Sequence, residues 1–488
     1  MSAVPRSAAG ASASADANAA ASGEIPILGV AGRPVLHSMS PVLFRELFRA
    51  SGVKAAYTRV AAGSAVEALE LFRALGMRGM NLTAPFKEEA AKLVDELSPE
   101  ARALGAVNCL VPLDGGGILG ANTDPAGVLG GLRARGLDPA GKRCLVLGAG
   151  GAGKAAAFAL KSAGGEVTVA NRTRSRADAL ASLLGCASAG MDELPSLARE
   201  AELIASTLAS DSLPDPASWF PEGASPALID ADYKSGRLAR YAEARGLGVA
   251  TGADWLAGQA LPAYELFMGR PFEAGSLGAG VYGTSAVDRG AAVAALAELL
   301  AKARRPYEGG RKIALIGLMG AGKTRSGSIL AGMMRLPFVD SDKEIEAEAG
   351  ATIPEIFAGE GESGFRAREA RAIDRICSEP GPLVLATGGG AAASPAIAAI
   401  LAERCTVVWL YVSPKTAARR ARGGVGSAAG STADRPLLAG GDPEARLAAL
   451  EAERRGAYAS CAELLVSSEG REVGEAAEVI HDEIVRLS

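Results

Sequence analysis

Two histidines in 488 residues, His37 and His481, are too few to build a histidine-rich metal centre. Cysteine is nearly as thin. The six (Cys109, Cys144, Cys186, Cys377, Cys405 and Cys461) are scattered with no C-x-x-C pair, against a zinc site or disulfide framework and in favour of reduced thiols in the cytoplasm. Positive charge is also wanting. Lys and Arg number 51 against 55 Asp and Glu, for a net charge of −4. That balance argues against a general nucleic-acid or membrane-surface binder, which needs a basic face. No apolar run reaches the ~18 residues of a membrane span. The opening "MSAVPRSAAGASASADANAAASG" lacks the apolar centre of a secretory signal. Its one arginine and one aspartate do not suit an organelle transit peptide, so residues 1–23 read as a flexible tail.

What remains is ordinary globular composition, 49% hydrophobic and 22% charged, in a chain long enough for two or three domains. From Ile25 onward, short β-branched runs alternate with alanine-rich helical stretches, the rhythm of α/β architecture. Two glycine turns interrupt it. "GAGGAGKA" begins at Gly148 and "GLMGAGKT" at Gly317, and both fit Gly-x-x-x-x-Gly-Lys. The residue after the lysine separates them. A phosphate loop of the Walker type needs a hydroxyl there for Mg²⁺, which Thr324 has and Ala155 lacks.

The first turn fits a dinucleotide fingerprint instead. Gly148, Gly150 and Gly153, with Gly151 between, allow a tight turn, close approach of a pyrophosphate and close helix packing. About 20 residues on, an NAD site would carry an acid for the ribose 2′-hydroxyl. This chain has Asn171, Arg172, Thr173 and Arg176, a cationic turn that suits the 2′-phosphate of NADP. In the second turn, Gly317, Gly320, Ala321 and Gly322 bring backbone N–H groups to a triphosphate. Lys323 reaches the β/γ oxygens, and Thr324 offers a ligand to the metal.

Upstream of the first turn lie "GRPVLHSMSP", "MNLTAPFKEEA", "GAVNCLV" and "GANTDPAGV". In this order they make residues 25–275 resemble the shikimate dehydrogenase family. The resemblance implies a two-lobed α/β enzyme with a Rossmann-like NADP lobe that reduces 3-dehydroshikimate to shikimate. It further implies that Lys87 and Asp124 form the acid–base pair, and that Ser38, Ser40, Thr83, Asn108, Tyr233 and Gln259 hold substrate. Asn81 would support the lysine, and Gly252 would lie near the nicotinamide. Phe44, Arg45, Asp254, Trp255 and the stretch after Tyr233 depart from the family pattern, at positions expected on the rim and hinge of the cleft.

Around the second turn, "FVDSDKEIE", "IPEIFAGEGESGFRAREA", "ATGGGA", "RPLL" and "RRGAY" make residues 311–488 resemble the shikimate kinase family. That implies a P-loop fold, a parallel sheet flanked by helices, which phosphorylates shikimate with ATP and Mg²⁺. Asp340 would assist Thr324 with the metal, and Asp342 would contact the attacking hydroxyl. Arg366 and Arg454 would clamp the carboxylate, with Glu369 orienting Arg366. Gly388, Gly389 and Gly390 would approach the ring, Phe357 and Phe365 would wall it, and Arg420 would face the adenine side. Arg435 would ride on a glycine- and serine-rich lid. The expected layout is a tail (1–23), a dehydrogenase-like part (24–280), a helical connector (281–310) and a kinase-like part (311–488). Within the second of these, a substrate lobe takes about 24–125 with 255–280, and an NADP lobe about 126–254. The implied partners are small molecules only. Two other readings stay open: one half reduced to a nucleotide-binding regulatory module, or a quinate-preferring NAD dehydrogenase.

Overall fold

The computed structural model describes residues 24–209, 211–220, 223, 225–232, 236–272, 288–303, 310–421 and 442–486. They fall into two compact units, one built from Val42–Lys54 and 86–303, the other from 24–41, Ala55–Pro85 and 310–486.

In the first unit, runs such as "RCLVL" and "EVTVAN" are rich in the β-branched residues that fill a sheet covered on both faces. They build a six-stranded sheet ordered Val249–Ala250, Ala227–Asp230, Leu203–Ser206, Arg143–Leu147, Glu166–Asn171 and Ala187–Gly190. All five pairings are parallel. This is the doubly wound order, and the glycine turn at Gly148 leaves the strand where the winding reverses, the crevice position for a ligand. One face of the sheet packs Val146, Val169 and Ile229 against Val128, Ala156 and Trp255; the other buries Leu145, Ile204 and Leu228 with Trp219 and Phe220.

Helix Gly252–Met268 packs on helix Asp124–Ala134 through glycines. A Cβ at Gly258 would lie 2.6 Å from the Gly127 carbonyl, so no larger residue allows this approach. Helix Arg289–Lys302 completes the layer by burying Ala292, Val293, Leu296, Ala297 and Leu300. The Asp288 side chain accepts from the N–H groups of Gly290 and Ala291 and fixes the helix's first turn. Phe44, Asp254 and Trp255 turn out to be structural. Phe44 is buried against Phe48 and Phe267. Asp254 closes a capping box with Thr251 and pairs with Arg135 at 3.0 Å.

In the second unit the strands are ordered Phe338–Asp340, Val384–Ala386, Lys312–Ile316, Cys405–Tyr411, Leu464–Ser467, Ala56–Ala61, Ile27–Gly32 and Gly79–Leu82. Every neighbouring pair is parallel. Cys405–Tyr411 is buried along its whole length, which explains its unbroken apolar text "CTVVWLY". Leu464–Val466 pairs with Arg59–Ala61, so segments some four hundred residues apart share one ladder. No helix among the described residues is long and apolar enough to cross a membrane.

Candidate active sites

Lys87 opens the short helix Lys87–Ala90, and Asp124 opens Asp124–Ala134. Their side chains meet, with Lys87 Nζ donating to Asp124 Oδ2 at 2.5 Å. The carboxylate is almost fully buried, whereas the lysine keeps about a fifth of its side chain exposed (6% and 22%). The pair therefore has one partner fixed by the protein and one reachable from outside. Asn108 fixes the other carboxylate oxygen: its Nδ2 lies 2.9 Å from Asp124 Oδ1 and 3.1 Å from Gln259 Oε1. Thr123, which no reading of the sequence singled out, donates its N–H to Asn108 Oδ1 at 2.8 Å. Asn122 accepts from the Asp124 N–H and donates to the Ala106 carbonyl. The tripeptide Asn122-Thr123-Asp124 thus acts as one buried bracket, and "NTD" was its only signal.

Lys87, Asn108, Asp124 and Gln259 are therefore brought together. Ser38 and Ser40 form a separate buried pair, with Ser38 Oγ 3.3 Å from Ser40 Oγ. Thr83 follows the strand Gly79–Leu82 and donates its N–H to the Ala31 carbonyl. A Cβ on Gly32 would collide with Thr83 Cγ2 at 2.2 Å. Asn81 accepts from the Tyr57 hydroxyl at 2.6 Å. Tyr233 and Arg435 lie outside the described residues.

The two glycine turns part in the burial of their last residues. Ala155 is fully buried, packed where a hydroxyl would find no water. Its neighbour Lys154 turns away from the turn to pair with Glu88 at 2.6 Å. Gly148 has φ +108°, and a Cβ there would lie 2.4 Å from Thr207 Oγ1. A Cβ on Gly153 would meet the Gly148 carbonyl at 2.0 Å. At Gly150 and Gly151 nothing stands within 4 Å of that position, so the open side of the turn faces outward at the start of helix Gly151–Ser162. This cradle fits a pyrophosphate. Asn171 braces it, accepting from the Ala149 N–H and donating to the Thr173 carbonyl. Of the arginines that follow, Arg174 is committed to Asp178 and Glu193. Arg172 and Arg176 are exposed on the same turn. Gly252 is the buried first residue of its helix.

Lys323, by contrast, is buried inside its own turn, donating to the carbonyls of Gly317 and Leu318 at 2.8 and 3.1 Å. Gly317, Gly320 and Gly322 all have positive φ, and a Cβ on Gly317 would strike the Leu410 carbonyl at 2.3 Å. Ala321 is fully buried. Arg420 holds the turn from behind, donating to the Gly320 carbonyl and to Ser468. Thr324 is exposed, and its hydroxyl donates to Asp340 Oδ2 at 2.8 Å. These two hard oxygens fit a magnesium ion.

Beyond them lies a pocket of buried polar atoms. Asp342 Oδ1, Glu369 Oε1 and Arg454 Nε are buried with no hydrogen-bond partner among the described residues, Arg454 Nε lying 3.9 Å from Glu453 Oε1. Such groups are costly to leave unpaired, and their convergence marks a place for a polar ligand. Burial, reinforced by the charge of Asp340, pushes the Asp342 carboxyl up to about 6. Burial also raises Glu369, against the pull of Arg366. Arg366 donates to Glu369 Oε2 at 2.6 Å and lies over the Phe365 ring, which in turn packs on Phe357. Arg454 reaches the Gly389 carbonyl, as does the hydroxyl of Tyr458, a contact that sequence reasoning missed. A Cβ on Gly388 would come within 2.5 Å of Glu369 Oε1, and one on Gly390 within 2.4 Å of Arg366 Nη2. The three glycines let a backbone pass between carboxylates and guanidinium where no side chain fits.

A family model described as "Shikimate dehydrogenase substrate binding domain" matches residues 30–110, and one for "Shikimate / quinate 5-dehydrogenase" matches 133–219. The "Shikimate kinase" model matches 319–485. The chain is 41% identical over 252 residues to a shikimate dehydrogenase (NADP(+)) of Thermus thermophilus, covering 49% of this chain and 91% of the relative. To the corresponding protein of Natronomonas pharaonis it is 39% identical over 253 residues, covering 50% and 94%. A shikimate kinase of Halorhodospira halophila is 45% identical over 159 residues, covering 33% of this chain and 85% of that protein.

Proposed function

We propose, for a chain that belongs both to the shikimate dehydrogenase family and to the shikimate kinase family, that it catalyses two consecutive reactions of the shikimate pathway. The first reduces 3-dehydroshikimate to shikimate with NADPH. The second transfers a phosphoryl group from ATP to the shikimate 3-hydroxyl. The observation that carries this reading is that one chain holds both the Lys87–Asp124 pair and the buried Asp342, Glu369 and Arg454 pocket beside Lys323.

In the first reaction the bound reduced nicotinamide supplies hydride, which leaves negative charge on the former ketone oxygen. Lys87 gives a proton from Nζ to that oxygen and is left a neutral amine until it takes another from solvent; Asp124 balances the ammonium charge whenever the lysine is protonated. Asn108 holds Asp124 and Gln259 in register, and its position beside both fits it for the ring hydroxyls. Ser38, Ser40 and Thr83 supply hydroxyls for the substrate, and Tyr233 is assigned with them from the sequence. Gly148, Gly150, Gly151 and Gly153 hold the pyrophosphate, Asn171 and Thr173 shape the ribose turn, and Gly252 borders the nicotinamide. Arg172 and Arg176 take the 2′-phosphate.

In the second reaction Asp342 accepts the hydrogen of the attacking hydroxyl, for which its unpartnered Oδ1 is available. Arg366 and Arg454 clamp the substrate carboxylate, a task for planar guanidinium groups. Thr324 and Asp340 would hold Mg²⁺, which when bound neutralises phosphate charge. Gly317, Gly320, Ala321, Gly322 and Lys323 hold the phosphates of ATP, Arg420 lies toward its adenine, and Arg435 is assigned to a closing lid. We place both reactions in the cytoplasm, where the six free thiols stay reduced.

One assay tests the whole reading. With 3-dehydroshikimate, NADPH and Mg-ATP, the purified chain should form shikimate and then shikimate 3-phosphate; accumulation of shikimate alone would refute the kinase part. Cofactor choice has its own test. Arg172→Ala combined with Arg176→Ala is expected to raise KM for NADPH by roughly tenfold or more, the worth of a lost charge-assisted bond, and to leave KM for NADH unchanged. An equal rise for both cofactors would remove these arginines from the 2′-phosphate.

A further inference from the structure

The segment that carries Ser38 has no regular structure, yet Val35 and Leu36 within it are completely buried. Buried amides need acceptors. Both are served by one atom: Val35 N and Leu36 N donate to Glu483 Oε2, each at 2.8 Å. Glu483 lies 448 residues from Val35, on the helix Val473–Val485, and is itself 3% exposed. On the far side of the same segment Arg59 Nε and Nη2 donate to the Ser38 carbonyl at 2.9 and 2.7 Å. The third nitrogen of that guanidinium, Nη1, donates to the Glu463 carbonyl at 3.2 Å. Glu463 and Glu483 lie within the stretch matched by the kinase family model, and Val35 and Ser38 within that of the dehydrogenase substrate domain. All of these groups belong to the second compact unit.

A neutral oxygen would satisfy two amides with less desolvation than a carboxylate. What a carboxylate adds is short, stiff, charge-assisted bonds. Stiffness matters where hydroxyls must be presented within about half an ångström of their working position. We propose that Glu483, with Arg59, is a positioning residue for Ser38 and Ser40, so that the C-terminal helix of the kinase-family segment sets how tightly the dehydrogenase holds its substrate. This rests on the assignment of those serines to substrate binding.

The test uses the full chain and steady-state constants for both reactions with shikimate. Glu483→Ala should raise the dehydrogenase KM for shikimate about tenfold, the worth of about one charged hydrogen bond. Its kcat should stay within about twofold, because no acid–base group is touched. The kinase constants should not change, since Glu483 contacts none of the kinase pocket residues named above. Glu483→Gln, which keeps an oxygen facing both amides but loses the charge, should recover only part of the affinity. The proposal is overturned by an unchanged KM, by a loss in kcat alone, by equal effects on both activities, or by a Gln variant as weak as Ala. Ser38→Ala separates the two levels: if it leaves KM unaltered, the serine assignment fails, whereas a raised KM there with a normal Glu483→Ala sinks only the positioning role. If Glu483→Ala does not yield folded protein, Glu483→Asp, too short to reach both amides, is judged by the same criteria.

Discussion

Replacing Lys87 with alanine is expected to lower the turnover of 3-dehydroshikimate reduction by about a thousandfold, the middle of the range for a positioned proton donor. The same variant should phosphorylate added shikimate at the wild-type rate. Among the described residues, the Lys87 ammonium sits 2.5 Å from a carboxylate that is otherwise fixed by Asn108, so the lysine is the member of the pair with freedom to meet substrate. Without it the alkoxide must take its proton from water, and Asp124 is left with a buried negative charge that Asn108 alone must satisfy. Substrate KM should rise much less than kcat falls, because the serine and threonine hydroxyls remain. A turnover within tenfold of wild type would remove Lys87 from the chemistry and leave it as the opening residue of a short helix.

The mirror result is expected at Lys323. Lys323→Met should lower kinase kcat/KM by about a thousandfold, comparable to removing a preorganised charge from a site of developing anionic charge, and should leave NADPH oxidation intact. The isosteric methionine keeps the packing of a buried side chain while deleting the charge. In the wild-type turn the ammonium donates to the carbonyls of Gly317 and Leu318, and its charge also acts on the buried carboxyls of Asp342 and Glu369. Loss of both activities together would mean a general folding defect, which a melting curve of each variant would expose.

Much of this is legible in the sequence, for local reasons. The distinction between the two glycine turns rests on one side chain each, and the structure gives its cause: Ala155 is an interior residue of a helix packed on its sheet, while Thr324 stands at the surface with Asp340 beside it. Even the shared lysine parts company, Lys154 outward to Glu88 and Lys323 inward to its own loop. The Lys87–Asp124 pairing is what the resemblance of two separated motifs to the shikimate dehydrogenase family implies, and the two side chains do meet. Other features left no local trace. Phe44, Asp254 and Trp255 looked like changes to a cleft, but tertiary packing makes them core and cap. The bracket of Asn122 and Thr123 depends on loops that meet only in the fold. Glu483 reads as one more acid on an amphipathic helix, since nothing near it in sequence names the two amides it serves. Strand pairing is the extreme case. Strands Ala56–Ala61 and Leu464–Ser467 pair through a hydrogen-bond ladder that is blind to side-chain identity, so their adjacency cannot be read from either text.

That adjacency has a consequence for dividing the polypeptide. Were the two enzymes made as separate products, Ala56–Ala61 and Leu464–Ser467 would each be an outermost strand with a bare row of amides and carbonyls, an invitation to stray association. Here each ladder seals the other, with Thr58 Oγ1 adding a stitch to the Ala462 carbonyl at 3.1 Å. Cutting the polypeptide between them would therefore leave two raw seams as well as two catalysts, and the severed pieces should either cling to each other or precipitate.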